Sequence, residues 1–422
     1  MSKESTGSYT TSALSRRLRS SGNKIAGLLV LLVFFSACTV LQPAPKAPTP
    51  APKEEPIEPQ VEEVDDDPEP VEEKVNSVVL VLPFELQRLQ GAPSRSDVKR
   101  AEVPLDFLQG FELAMESLAQ KGHKFRLTVL DSRDNVAHTG VIARSGEVQS
   151  ADIIIGPIFP KEISAFAQAA KLSESLQVSP LAASKPSQFN VPNLVSLVAP
   201  IDLHSEGLAD YLEKEGRTGD HIILLNLQDE DSHGFLVPLR KSLQGKKISF
   251  TEINDIDGLG EKLVSGGRNR VVIGSNQKFQ VNSILNRLIE LEAERGVQIE
   301  LFGHPNWSRE NFDATNLQLL NAKITTSYYV NSNQSNVRDF ESKYRAKHKL
   351  APSEYAYKGF DTGYFFGYML SKYGNDYPEA LLSENYKGLQ TQYKFSRFPQ
   401  WGYVNTYIRI LEFDGYKYVP ID

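Results

Sequence analysis

The sequence predicts a two-lobe α/β fold, each lobe a mostly parallel sheet flanked by helices. Three observations predict it. Short apolar runs of strand length alternate with amphipathic segments of helical period, which implies right-handed crossovers and a parallel sheet. The alternation runs through once and then begins again. At 422 residues the chain is too long for one average domain.

The first series opens with Val78–Phe84, an apolar run closed by Pro83 that suits a buried parallel strand. Pro104 to Lys121 reads as a helix, with Phe107, Phe111, Leu113, Ala114 and Leu118 on one face. Phe125–Asp131 is a second strand. Ala151–Pro157 is a third and must stop at Gly156-Pro157. Ile163–Leu176 is a helix, Gln177–Pro180 a fourth strand and Asn193–Pro200 a fifth that leads outward. The second series has strands at His221–Asn226, Ile248–Ile253, Arg270–Asn276 and Gln298–Gly303. Its helices are Leu203–Gly216, Gly234–Leu243, Leu259–Val264 and Val281–Arg295. Ala322–Val330 is a further strand, followed by helices Val337–Lys347 and Ser353–Tyr373. The second of these is dense in aromatics (Tyr357, Phe360, Tyr364, Phe365, Phe366), which at this spacing form a core face. Tyr403–Tyr418 alternates around Asp414-Gly415, a hairpin signal.

Ahead of this body lies a different kind of sequence. Arg16, Arg17, Arg19 and Lys24 precede the apolar run Ile25–Phe35, which is shorter than a bilayer span. Phe35-Ser36-Ala37-Cys38 follows, and Cys38 is the one cysteine of the chain. The stretch resembles the lipobox of bacterial lipoproteins, which implies cleavage after residue 37 and lipidation of Cys38. The exported body then has no disulfide and rests on its core. Thr39 to Asn76 is rich in Pro and acidic residues and cannot fold. At about 3.1 Å per residue it reaches on the order of 100 Å. Under the same resemblance, Thr39 rather than Asp after the cysteine implies the periplasmic face of the outer membrane. The tether supplies much of the net charge of −7. The body is nearly balanced and has no basic stripe, which excludes nucleic acid as a partner.

The order of elements over Ser77 to Asp422 resembles the type I periplasmic-binding-protein family, as in Leu/Ile/Val-binding proteins. The matching stretches are Val79–Phe84, Ala151–Pro157, Val178-Ser179-Pro180, Pro200-Ile201-Asp202, Ser232-His233-Gly234, Phe302-Gly303-His304, Ala356-Tyr357 with Asp361-Thr362, and Phe413-Asp414-Gly415. The resemblance implies lobes joined by hinge strands and a small polar ligand trapped between them. The expected division is residues 1–37 signal, 38–76 lipidated tether, 77–198 with 322–422 first lobe, and 199–321 second lobe. Members that bind amino acids hold the carboxylate with Ser or Thr after the third and fourth strands. Here those stretches read Phe159-Pro160-Lys161-Glu162 and Leu181-Ala182-Ala183-Ser184, which counts against a free amino acid. Ile155-Gly156-Pro157-Ile158 with Lys161-Glu162-Ile163 also resembles the lipoprotein activators of penicillin-binding proteins, which implies an envelope enzyme as an alternative partner.

Ligands of open α/β sheets bind off the carboxyl ends of the strands. That rule places Phe84, Pro157, Phe159, Lys161, Ser179 and Ser184 on the first lobe's edge of the cleft. It places Asp231, Ser232, Ser275, Asn276, His304, Asn306 and Trp307 on the second. Trp307 is the strongest single candidate, as a ring that covers an apolar ligand, and Ser275-Asn276 come next. The same residue types also cap helices and end strands without further role. No Gly-x-Ser-x-Gly elbow, His-Glu-x-x-His pair or second cysteine is present, so the reading is of a binding protein with no catalytic residues, cofactor or metal.

Overall fold

The computed structural model describes residues 74–172 and 175–421. The leader, Cys38 and the tether up to residue 73 lie outside them. The strands are β1 Asn76–Leu82, β2 Phe125–Asp131, β3 Ile153–Ile155, β4 Leu176–Ser179, β5 Leu194–Ser196, β6 His221–Leu225, β7 Thr251–Ile253 and β8 Arg268–Ile273. They continue with β9 Gln298–Phe302, β10 Lys323–Thr326, β11 Tyr386–Lys387, β12 Gln392–Tyr393, β13 Phe395–Phe398, β14 Gly402–Asn405, β15 Arg409–Phe413 and β16 Tyr418–Pro420. The helices are α1 Arg95–Arg100, α2 Glu102–Ala119, α3 Val136–Ile142, α4 Gly146–Gln149, α5 Pro160–Ala170 and α6 Ile201–Lys214. They continue with α7 Glu230–Gly245, α8 Lys278–Arg295, α9 Ala314–Leu319, α10 Ser335–His348, α11 Glu354–Tyr373 and α12 Tyr377–Ala380. None of the described helices is long and apolar enough to cross a membrane.

Two seven-stranded sheets carry the lobes, in the orders β13-β14-β5-β4-β3-β1-β2 and β16-β15-β10-β9-β8-β6-β7. Each contains the same doubly wound core, in which the second strand lies outside the first and the third on its other side. The parallel central strands are buried on both faces. Val79 to Leu82 of β1 and Val271 to Ile273 of β8 are fully buried, which is why they read as unbroken apolar runs rather than alternating ones.

The last third of the chain differs from the sequence expectation of a return to the first lobe. β10, β15 and β16 belong to the second sheet, with β15 antiparallel to β10 and Phe413 opposite Tyr418. Only α10, α11, α12 and β11–β14 return. The alternating tail therefore runs through three strands in two sheets: β14 stays in the first, the chain crosses over at Thr406-Tyr407-Ile408, and β15 and β16 form the expected hairpin about Asp414-Gly415 in the second. Alternation shows that a strand is half-covered, not which sheet covers it.

Helix α11 packs along α2, burying Phe365, Phe366 and Tyr357 as expected for a core face. Their backbones approach through glycines. A Cβ on Gly110 would sit 1.9 Å from the Ala356 carbonyl oxygen, and one on Gly359 would sit 2.0 Å from that of Phe107. Both contacts are with backbone, so neither helix can yield locally. Gly110→Ala is therefore expected to cost about 1–3 kcal/mol or more. Gly245→Ala, which meets open space, is expected to stabilise α7 by about 0.5–1 kcal/mol. Denaturant midpoints of the two variants check the opposite signs.

Candidate functional site

The chain passes between the lobes three times, at Leu197–Pro200, Ser327–Gln334 and Thr406–Ile408. Beside these crossings a cavity of about 410 Å³ opens between the lobes. The first lobe contributes Leu181, Ala183 and Lys358 to its wall, and the crossings contribute Val198, Ala199, Ser327 and Tyr328. The second lobe contributes His204, Glu230, Asp231, His304, Asn306 and Arg309.

The second-lobe wall is built by two helix starts. Asp229 caps α7, its carboxylate accepting from the Ser232 backbone N–H at 2.8 Å and from the Ser232 hydroxyl at 3.1 Å. That cap sets Glu230 and Asp231 in the first turn of α7, and neither is in an ion pair among the described residues. His304 caps the short turn Pro305–Arg309. Its Nδ1 accepts from the Asn306 N–H at 3.1 Å and faces Asn276 Nδ2 at 3.0 Å. The Asn306 donor is a backbone N–H, so Nδ1 is the acceptor and Nε2 carries the proton. His304 is 5% exposed, and burial holds its pKa down to about 4. Next to it, His204 faces Thr325 Oγ1 at 3.1 Å, and burial followed by the neighbouring His304 brings it to about 4 as well. Both imidazoles are neutral at pH 7.

The opposite side carries a charged knot that joins the lobes. Arg309 Nη2 of the second lobe lies 3.0 Å from Glu354 Oε2 of the first, and it donates to the Tyr328 hydroxyl at 3.0 Å. Lys358 Nζ donates to Glu354 at 3.1 Å and stands 4.8 Å over the Tyr328 ring. Burial opposes the Glu354 charge, but Lys358 and Arg309 outweigh it and hold the carboxyl below its usual range. Burial pushes Lys358 down. A second, more exposed pair, Lys185 with Asp202 at 2.9 Å, also links the lobes.

Of the residues expected from sequence, Asp231, His304 and Asn306 line this cavity, and Asn276 stands behind His304. Trp307 does not. It is 1% exposed and lies against Gly303 and Phe312, its indole N–H donating to the Ser275 carbonyl at 2.8 Å. The tryptophan follows a strand end but turns into the core of the second lobe, because Gly303 leaves room for it there. Ser275, Ser232 and Ser179 are fully buried, and Pro157 and Phe84 are also buried. Ser275 and Ser232 serve turns and caps, its hydroxyl accepting from Gln277 N–H in the case of Ser275. Phe159, 38% exposed, precedes Pro160 at the start of α5, and Lys161 pairs outward with Asp134 at 2.9 Å. Ser184 is half-buried, and none of these first-lobe residues lines the cavity. The sequence reading missed His204, Arg309, Tyr328, Glu354 and Lys358. The one local signal was Lys358, a cation set among the aromatics of α11.

No protein-family model and no curated protein matches the chain. Solved structures do. A protein described as a branched-chain amino acid ABC transporter from Rhodospirillum rubrum matches at a TM-score of 0.60 and 14% identity, over 82% of this chain and 100% of that one. An ABC transporter substrate-binding protein from Desulfitobacterium hafniense, in complex with Leu, matches at 0.51 and 14% identity, over 82% and 100%. One from Sphaerobacter thermophilus matches at 0.51 and 14% identity, over 83% and 97%. The chain thus has the two-lobe type I periplasmic-binding-protein fold.

The buried neutral imidazoles fix a pH dependence. In the unfolded chain they titrate near about 6.5, in the folded one near about 4. Between those values the unfolded state binds more protons, so stability falls as pH drops through this window. Each imidazole contributes on the order of 3 kcal/mol across it. His304→Asn keeps an acceptor for the Asn306 N–H and is expected to flatten the slope between pH 6.5 and 4, read from urea midpoints. An unchanged slope would show that His304 is not held neutral.

Proposed function

We propose that this chain is a non-catalytic, lipid-anchored envelope receptor that closes its two lobes around a small polar ligand of amino-acid or peptide-like character. The observation that carries the reading is the cavity between the lobes, walled from both sides and bordered by the chain crossings. A site shared by two bodies is completed when they approach, so binding energy and closure are coupled. The wall has the character of a small-molecule site: apolar surface at Leu181, Ala183 and Val198, with a few polar groups converging from the other lobe. The fold neighbours named as substrate-binding proteins support the same reading. The Ser36-Ala37-Cys38 junction supports anchoring through Cys38 at the outer membrane, with the tether as spacer.

The test is a thermal-shift screen with amino acids, short peptides, nucleobases and muropeptides. A ligand at 100 times its Kd is expected to stabilise the protein by about 2.7 kcal/mol. Asp231→Asn, inside the cavity, is expected to weaken the shift, and Lys161→Ala, outside it, to leave it intact. No shift across the panel would remove the receptor reading and favour a regulatory or scaffolding lipoprotein that contacts an envelope enzyme such as a peptidoglycan synthase.

A further inference from the structure

The interlobe cavity does not end at the charged knot. Arg309, Thr326 and Tyr328 also line a second cavity of about 570 Å³ on the far side. The knot is thus a partition between two chambers. The chambers differ in character. The inner one presents the carboxylates of Glu230 and Asp231 and the buried His304, whose Nε2–H has no hydrogen-bond partner among the described residues. The outer one is walled by Phe312, Leu317, Tyr329, Tyr357, Phe413 and Tyr418.

The partition is weakly held. The Arg309 and Glu354 side chains are 51% and 34% exposed, and ion pairs so exposed are weak. Glu354 keeps Lys358 at 3.1 Å if Arg309 turns away, so no charge is stranded. Arg309 can therefore exchange Glu354 for a ligand group without a large penalty.

We propose that the two chambers form one site for a short peptide rather than a free amino acid. This rests on the receptor reading above. The N-terminal ammonium sits against Glu230 and Asp231, neither of which is in an ion pair among the described residues. A main-chain carbonyl accepts from His304 Nε2–H. Arg309 turns from Glu354 to a carbonyl or carboxylate further along the peptide, and an apolar side chain fills the aromatic outer chamber. A free amino acid reaches only the inner chamber and leaves the aromatic wall wet, which forfeits the apolar contact.

The experiment is titration calorimetry of the full chain with leucine, Leu-Leu, Leu-Leu-Leu and N-acetylated Leu-Leu-Leu. The tripeptide is expected to bind at least tenfold tighter than leucine, and acetylation to remove at least tenfold by deleting the ammonium. Ala314→Trp, which fills the outer chamber from an exposed position, is expected to abolish the tripeptide's advantage and leave leucine unchanged. Ser308→Trp supplies the same block from another part of the wall should Ala314→Trp unfold. Leucine bound as tightly as the tripeptide would overturn the two-chamber site and leave the receptor reading standing. A tripeptide advantage that survives both blocking variants would also overturn it. No binding of any of the four probes would also overturn the two-chamber site, while the receptor reading stands or falls with the wider thermal-shift panel.

Discussion

The arrangement of the lobes depends on Asp361. This fully buried carboxylate on α11 accepts hydrogen bonds from the backbone N–H groups of Leu389, Gln390 and Thr391 at 2.7–3.0 Å, and from the hydroxyls of Thr391 and Tyr386. A buried charge is tolerable only with such a complement of donors. The loop it holds is joined in turn to a lobe crossing: the Tyr329 N–H donates to the Gln390 carbonyl at 2.7 Å, and Tyr328 bridges Thr391. Gln390 also donates to the Glu354 carbonyl at 3.1 Å. One carboxylate thus fixes the crossing that bears Tyr328 relative to the helix that bears Glu354 and Lys358. The partition of the cleft inherits its geometry from a residue that does not touch the cleft.

The second lobe solves a matching problem with charge. Helix α6 begins at a crossing and carries His204, so its position decides one wall of the cavity. Its far end is held by Arg270, which is fully buried and donates to the carbonyls of Leu212 and Glu215 at 2.9 and 2.8 Å while its Nε stays 3.0 Å from Glu300. Arg268 repeats the contact to Glu215 and pairs with Asp220 at 2.6 Å. Buried ion pairs of this kind add little net stability, but removing one partner strands the other, so they specify a position strongly. Nearer the cavity, the Ser205 hydroxyl donates to the Phe235 carbonyl at 2.8 Å and ties α6 to α7. The walls bearing His204 and Asp231 are thereby joined directly.

The two parallel sheets were legible because central strands buried on both faces are apolar without interruption, as Val79 to Leu82 and Val271 to Ile273 are. The C-terminal strands were misplaced because β14 and β15 lie in different sheets yet carry the same alternating pattern. Within the site, Asp231, His304 and Asn306 were legible as residues just past strand ends. Trp307, past the same strand end, is turned inward into the space left by Gly303 and borders the outer cavity rather than the inner one. Arg309, Glu354 and Lys358 come from two lobes and gain their meaning only when folding brings the lobes together. No local pattern records a pairing of that kind.

On the reading proposed above, the lobes close about the crossings when the cleft fills. The measurement is a distance between the lobes, from spin labels at Gln87 and Lys278 in a Cys38→Ser background. Gln87 follows β1 and Lys278 follows β8, so each is an exposed position at the strand ends of one lobe. The distance distribution is expected to be broad without ligand and shorter and narrower with a ligand from the screen bound. A distribution identical with and without a bound ligand would contradict it.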